Sequence, residues 1–335
     1  FDVDSEKAFG LANNTININF LNNFGGNPNS YAGSIEGLSS IETTPSTFKL
    51  FEFWTEQSFF EDRASVKVGL YDTNSEFFFT NMSAGFLKPT METSQEMAQT
   101  GQNGLSAFPT TSLGARIKFI PSKDLYVQAA ILDGEPGNSD RKRGTHIDFE
   151  DDDGTFQIAE LGYTPNASDE GAFNKLAVGA WRYTKKFDDV VDVDDNGDAL
   201  KKDSRGVYGL ASAYLYKCDT GKTIGAFLRG GVGDGDTGQT DWSYATGLVG
   251  DGWIPSRPAG QIGLGFTQAH NGDKHMRAQD AGTTERSEYG VEVYYSDQLM
   301  DGVNIQPDFQ YIKHPGTSKT VDDAVALGLR LSVGL

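Results

Sequence analysis

Apolar and polar residues alternate with a period of two along much of this chain, most clearly over residues 287–335. Ser287, Tyr289, Val291, Val293 and Tyr295 alternate with Glu288, Gly290, Glu292 and Tyr294. Val303, Ile305, Pro307, Phe309 and Tyr311 alternate with Asn304, Gln306, Asp308 and Gln310. Val325, Leu327, Leu329, Leu331 and Val333 alternate with Ala326, Gly328, Arg330 and Ser332. Successive side chains on a strand point to opposite faces, so each segment has one apolar and one polar face. Soluble sheets alternate too. Here the pattern runs to the last residue, with carboxylates and an arginine on the polar side and no partner helix to cover the apolar side. That combination predicts a barrel wall with lipid outside and water inside.

The same reading upstream predicts strands at 15–22, 48–59, 63–73, 113–120, 125–133, 155–163, 175–184, 206–216, 223–232, 240–249, 259–268 and 285–295, then 303–312 and 325–334, about fourteen in all. Connections alternate in length. Those at 23–47, 74–112, 134–154, 185–205, 270–284 and 313–323 are long and 233–239 is shorter, whereas 60–62, 121–124, 217–222 and 296–302 are tight. An antiparallel transmembrane β-barrel of a bacterial outer membrane has long loops outside and short turns in the periplasm. No repeat or low-complexity linker divides the chain, so 1–335 is expected to form a single barrel domain.

Composition narrows the choice. Mean hydropathy is −0.44, and no apolar run reaches the roughly 18 residues of a spanning helix. The 40 glycines and 22 phenylalanines suit hairpin ends and aromatic interface belts. A net charge of −19 argues against a nucleic-acid partner. The acid is concentrated in a few segments, such as 148–153 and 188–198, which read as loops. The lone Cys218 cannot form an internal disulfide. No signal peptide is visible and the chain starts at Phe1, as expected of a mature or further trimmed sequence.

Candidate chemistry follows from parity. On 48–59, Phe51, Phe53 and Thr55 share one face and Glu52, Trp54 and Glu56 the other. A cation facing lipid at the midplane costs about 2–4 kcal/mol and a carboxylate somewhat less, so the charged face should be luminal. The same argument turns Lys67, Arg116, Lys118, Glu160, Glu288, Glu292, Asp308 and Arg330 inward, and leaves Trp181 ambiguous. A sugar is neutral, rich in hydroxyls and weakly apolar on its ring faces. A path that favours it needs charged hydrogen-bonding groups and an aromatic surface, which Trp54 with Glu52, Glu56, Lys67, Arg116, Lys118, Glu288 and Glu292 would supply. Alternatively, opposite charges merely brace a wet wall. The connection 74–112 is poor in charge and rich in Phe, Met, Thr and Gln. It is expected to fold inward and narrow the pore, or else to pack over the rim. Asp192, Asp194, Asn196, Asp198 and Asp203 follow a calcium-loop spacing, with Asp203 at position twelve where Glu is usual; a solvated acidic loop is the alternative. Enzyme signals are poor. Glu52 and Glu56 lie about 13 Å apart along a strand, beyond the roughly 5–9.5 Å of a glycosidase pair, and His146, His270, His275 and His314 lack metal-ligand spacing.

Several stretches resemble the OprB-type carbohydrate-selective porins. Leu50-Phe-Glu-Phe-Trp-Thr-Glu-Gln57 is similar to that family's LYELWLEQ, and Ala64-Ser-Val-Lys-Val-Gly-Leu-Tyr-Asp-Thr-Asn-Ser-Glu-Phe77 to its LSLKAGQLDANSEF. Glu288-Tyr-Gly-Val-Glu-Val-Tyr-Tyr295 and Ile305-Gln-Pro-Asp-Phe-Gln-Tyr311 resemble its closing hairpin. The resemblance implies sixteen strands, two more than the alternation gives, and a final Phe where this chain has Leu335. It implies passive, sugar-favouring diffusion across the Gram-negative outer membrane, with small sugars as solutes. Outer-membrane lipid and lipopolysaccharide are the expected surroundings, and a homo-oligomer is a candidate assembly. No cofactor is required beyond the candidate calcium. The rival functions are a general or weakly cation-selective porin and a closed surface-binding or structural barrel.

Overall fold

The computed structural model describes every residue except 1, 43–44, 149, 151, 166–173, 219 and 335. The acidic run 148–153 therefore lies partly outside the described residues, and terminal Leu335 lies wholly outside them. One sheet carries fifteen strands. After the three-residue β1 (Asp2–Asp4) come β2 (Asn14–Asn23), β3 (Thr47–Phe59), β4 (Ala64–Tyr71), β5 (Ser112–Ser122), β6 (Leu125–Asp133), β7 (Thr155–Tyr163) and β8 (Lys175–Tyr183). A separate hairpin, β9 (Phe187–Val193) and β10 (Ala199–Lys202), interrupts the series. The sheet resumes with β11 (Arg205–Lys217), β12 (Thr223–Gly233), β13 (Thr240–Asp251), β14 (Gln261–Asn271), β15 (Ser287–Met300), β16 (Val303–Lys313) and β17 (Ala324–Val333). Each strand pairs antiparallel with its neighbours in that order, from β1 at one edge to β17 at the other. The fourteen long strands match the alternation; the count of sixteen implied by the resemblance exceeds the fifteen among the described residues.

The outward face is an exposed aliphatic belt. Val66, Val68, Ile117, Val127, Leu161, Val178, Leu228, Leu248, Leu264, Val293, Leu327 and Leu329 are all exposed. Aromatics flank it at both ends. At the long-connection end, Trp242 stacks on His270, and Tyr244, Phe266 and Tyr289 follow across successive strands. At the tight-turn end are Phe59, Phe60, Phe119, Tyr163 and the pair Tyr216–Trp253. Two girdles bounding an aliphatic band are the outer surface of a membrane barrel. The tight turn after β15 is shorter than the sequence suggested: β15 continues to Met300, leaving only Asp301 and Gly302.

The inside departs from a simple wet wall. The connections at 24–46 and 72–111 turn inward, and the second brings Phe77, Phe78, Met82, Phe86, Met91 and Met97 against the inner wall. One cluster packs Phe77, Phe78 and Met97 on Tyr71, Leu132, Phe156, Ile158, Trp181, Tyr183 and Tyr208. The other packs Met82, Phe86 and Met91 on Phe227, Val249 and Tyr294. Each such side chain contributes about 1.5–3 kcal/mol when fully buried, which explains a long, charge-poor connection lying inside a barrel. Trp181, whose facing was ambiguous, is luminal and buried in the first cluster.

One facing needs correction. Phe51 is buried rather than sharing the exposed side of Phe53. The register of β2 on β3 slips there, with Asn19 opposite Glu52 but Phe20 opposite Leu50. A bulge puts one extra residue on β3 and reverses parity beyond it. Lys49 and Phe51 thus turn inward together with Glu52.

Candidate functional site

The strands β3, β4 and β5 lie side by side, with Glu56 opposite Lys67 and Lys67 opposite Arg116. Inward parity at these three positions brings the side chains together. Glu76, delivered by the 72–111 connection, completes a quartet. Arg116 reaches Glu56 at 2.7 Å and Glu76 at 3.0 Å. Lys67 reaches Glu76 at 2.6 Å and Glu56 at 3.7 Å. Arg116 also donates to Ser65 Oγ. Two cations against two carboxylates leave the quartet formally neutral. Desolvated charges need such mutual hydrogen bonds, because each would otherwise be strongly penalised.

Trp54 stands beside the quartet. The Lys67 ammonium lies 3.8 Å from its ring centroid, in cation–π geometry. Across the strand pair is Gly69, at φ +143°. A Cβ at that position would come within 2.2 Å of the Phe53 carbonyl and 2.5 Å of Trp54 Cα, so only glycine lets β4 approach β3 there. Glu52 lies farther toward the long connections and accepts from the Asp72 backbone N–H. Lys118 sits 5.1 Å from the Tyr126 ring centroid. Above these groups a cavity of about 490 Å³ opens among the long connections, lined in part by Lys49, Asp72, Asn74, Phe108, Thr110 and His146.

Glu288 and Glu292 sit elsewhere and are fully buried, which corrects the expectation that they face open water. Glu288 accepts from the backbone N–H groups of Ile35, Glu36 and Gly316 and from the Ser34 hydroxyl. Glu292 accepts from the N–H groups of Leu87 and Lys88. Glu160 plays the same part on β7, accepting from Phe78 N–H and from the Tyr126 and Tyr208 hydroxyls. These carboxyl groups clamp the inward connections to the wall. Arg229 does the converse, donating to the carbonyls of Phe78, Met91 and Glu92 and to Ser83 Oγ. A buried ion pair, Lys88–Glu36 at 3.1 Å, joins the two inward connections to each other.

Parity alone missed Glu76, which lies off the strands, and Lys49, which lies beyond the bulge. Arg229 was legible by the same parity, since Gly225 and Phe227 share its side of β12.

The calcium pattern does not form a cage. The segment 187–202 is the β9–β10 hairpin rather than an open loop. Asp194 accepts from the N–H groups of Asn196 and Asp198 at its tip. Asp192 pairs with Lys274 at 2.8 Å, and Asp203 lies 3.9 Å from Lys186. Among the described residues, the three carboxylates that do converge are Glu150, Asp152 and Asp153, which the pattern did not include. Outside the membrane, Lys274 holds Asp189 at 2.5 Å, Asp236 at 2.7 Å and Asp192 at 2.8 Å. Burial pushes the Asp189 carboxyl up, but the N–H groups of Asp192 and Val191 and the Lys274 ammonium outweigh it and hold it down at about 2.

Comparison with known proteins agrees with this architecture. Residues 1–335 match the family described as carbohydrate-selective porin, OprB family. Porin B of Pseudomonas aeruginosa is 25% identical over 325 residues, covering 90% of this chain and 71% of that protein. The high-pH structure of Pseudomonas putida OprB superposes with a TM-score of 0.86 at 21% identity, over 99% of this chain and 85% of the other. The low-pH structure of the same porin gives 0.59 at 17% identity, over 99% and 82%. With a sheet of antiparallel strands, a lipid belt and a polar interior narrowed by its own connections, the chain belongs to the OprB family of carbohydrate-selective porins: a passive sugar channel of the Gram-negative outer membrane, and not an enzyme.

Proposed function

We propose that sugars descend from the 490 Å³ cavity along β3, past Glu52, Trp54 and Glu56, with the quartet of Glu56, Glu76, Lys67 and Arg116 setting the charge of the narrow zone and Lys118 beside it. The neutrality of that quartet is the observation that carries the reading. It offers donors and acceptors to hydroxyls while drawing in neither ion sign strongly, which suits an uncharged solute. The Trp54 face is covered by Lys67, so a sugar ring would stack there where the ammonium swings off the ring and keeps its 2.6 Å contact with Glu76. The rest of the chain forms one barrel surrounded by outer-membrane lipid, with lipopolysaccharide on its outer side, and homo-oligomers can form without closing this path.

Conductance across planar bilayers tests the proposal. Trp54→Ala should weaken block by glucose or maltose more than it alters open-channel conductance. Unchanged sugar block would make Trp54 a purely structural residue and remove the aromatic half of the proposed path. A strong cation preference in the unaltered protein would favour a general cation-selective pore instead.

A further inference from the structure

The lipid-facing wall carries one feature that a sugar path does not need. Arg205 on β11 is directly opposite Arg182 on β8, and both side chains are exposed. Like charges opposite one another in a sheet repel. Arg182 donates through Nε to Gln157 Oε1 at 2.9 Å, and its other N–H groups have no partner among the described residues. Arg205 has no side-chain partner among the described residues. Among the described residues neither forms an ion pair, although Asp234 lines the same depression.

Position along the strands sets their depth. Arg182 is the next-to-last residue of β8 and Arg205 the first of β11, at the strand ends that lead into the long connection carrying β9 and β10. Long connections lie on the outer side of such a barrel, so both arginines stand toward the headgroups of the outer leaflet. Directly beneath them the wall is hollow. Two adjoining depressions of about 510 and 400 Å³ share Ala180 and Arg182. Alanines where neighbouring strands carry Ile117, Ile131 and Val232 make the first concave and apolar.

We propose that Arg182 and Arg205 bind a phosphate-bearing, acylated lipid of the outer leaflet, with one acyl chain in the depression beneath them. A phosphate between two guanidiniums would relieve their repulsion and accept paired N–H donors. The charge also argues against a second copy of this chain, because a two-fold contact centred here would bring four guanidiniums onto one seam. The proposal rests on the outer-membrane setting and is separable from the sugar path, since neither arginine faces the lumen.

The test is native mass spectrometry of the full chain in detergent. The probes are hexa-acylated lipid A carrying its phosphates and the same lipid enzymatically stripped of them. The unaltered protein should retain one phosphorylated lipid, and removal of the phosphates should weaken retention roughly tenfold. The double variant Arg182→Gln/Arg205→Gln should lose the same preference while its conductance and sugar block stay unchanged. Ala180→Phe, which fills the depression and keeps both charges, should weaken both lipids; it supplies the answer if the double variant does not insert. The proposal is overturned if both lipids are retained equally, or if the double variant retains them like the unaltered protein. It is equally overturned if excess inorganic phosphate fully displaces the lipid, or if the unaltered protein is a dimer that the double variant is not.

Discussion

Two sets of glutamates point inward from the same barrel and do different things. Glu56 on β3 meets Arg116 and Lys67. Glu160, Glu288 and Glu292 on β7 and β15 meet backbone N–H groups of the inward connections. In sequence the two sets are alike, each a carboxylate at luminal parity in an alternating strand. What separates them is the neighbour: cations at matching positions on β4 and β5 in one case, the backbone N–H groups of an inward connection in the other, with Lys175 at 3.6 Å from Glu160 as the one added cation. Parity tells which side a carboxylate occupies, and only the partner tells whether it tunes the charge of a passage or fastens the segment that shapes it.

Removing the fasteners should have the largest effect. Glu292→Ala orphans two buried N–H groups, and Glu288→Ala one buried and two part-buried ones, at a cost of about 1–3 kcal/mol per buried donor. The double variant should release the connections from β15, raise single-channel conductance and abolish sugar block. If conductance and block both stay at their starting values, packing of Phe86 and Met91 alone holds the connection and the distinction between the two sets collapses.

Breaking the other set should change selectivity and leave channel width nearly alone. Arg116→Ala leaves Lys67 alone against Glu56 and Glu76, one net negative charge where the passage narrows. Cation preference should rise roughly three- to tenfold, equivalent to about 0.7–1.4 kcal/mol, read from reversal potentials under a salt gradient. Neutralising the acids of 148–153 should lower it by less, because loop charges beyond a Debye length of about 8 Å are screened. No change on Arg116→Ala would show that ions pass the quartet at a distance.

Most of the wall was legible. β6 and β7 fall where the alternation puts them, because pleat and lipid together punish a slipped register. The inward turn of 72–111 was legible from its want of charge. Less legible was anything that depends on contact across the lumen. Glu76 lies beyond the end of a strand, so no parity reaches it. The bulge opposite Asn19 leaves no mark in the alternation of Phe48, Leu50 and Phe53, and it hid Lys49 and misdirected Phe51. Glu288 and Glu292 were given the right side and the wrong surroundings, since parity counts residues along the wall and is blind to what fills the space it encloses.

A third region sharpens the contrast with the smallest effect. Above the membrane, Lys274 gathers Asp189, Asp192 and Asp236 and ties the β9–β10 hairpin to the connections after β12 and β14. This clamp gathers carboxylates around a cation, where Glu288 and Glu292 gather backbone N–H groups, and Asp192 in it is half-exposed. Asp189 titrates at about 2 when folded, against an ordinary value of 3.8. A depressed carboxyl stabilises fully above its unfolded value and loses that contribution as pH falls through the folded one. The clamp should therefore be complete above about pH 4 and fail toward pH 2. Limited proteolysis with pepsin reads this directly. In the unaltered protein cleavage within 187–202 should rise steeply only at the acid end of that window. With Lys274→Met the hairpin should be cut across the whole of it, while conductance at neutral pH stays unchanged because the fasteners inside the barrel are intact. Equal cleavage of the two proteins at every pH would mean that the hairpin is held by its own strand pairing and that the three aspartates do no more than surround a lysine.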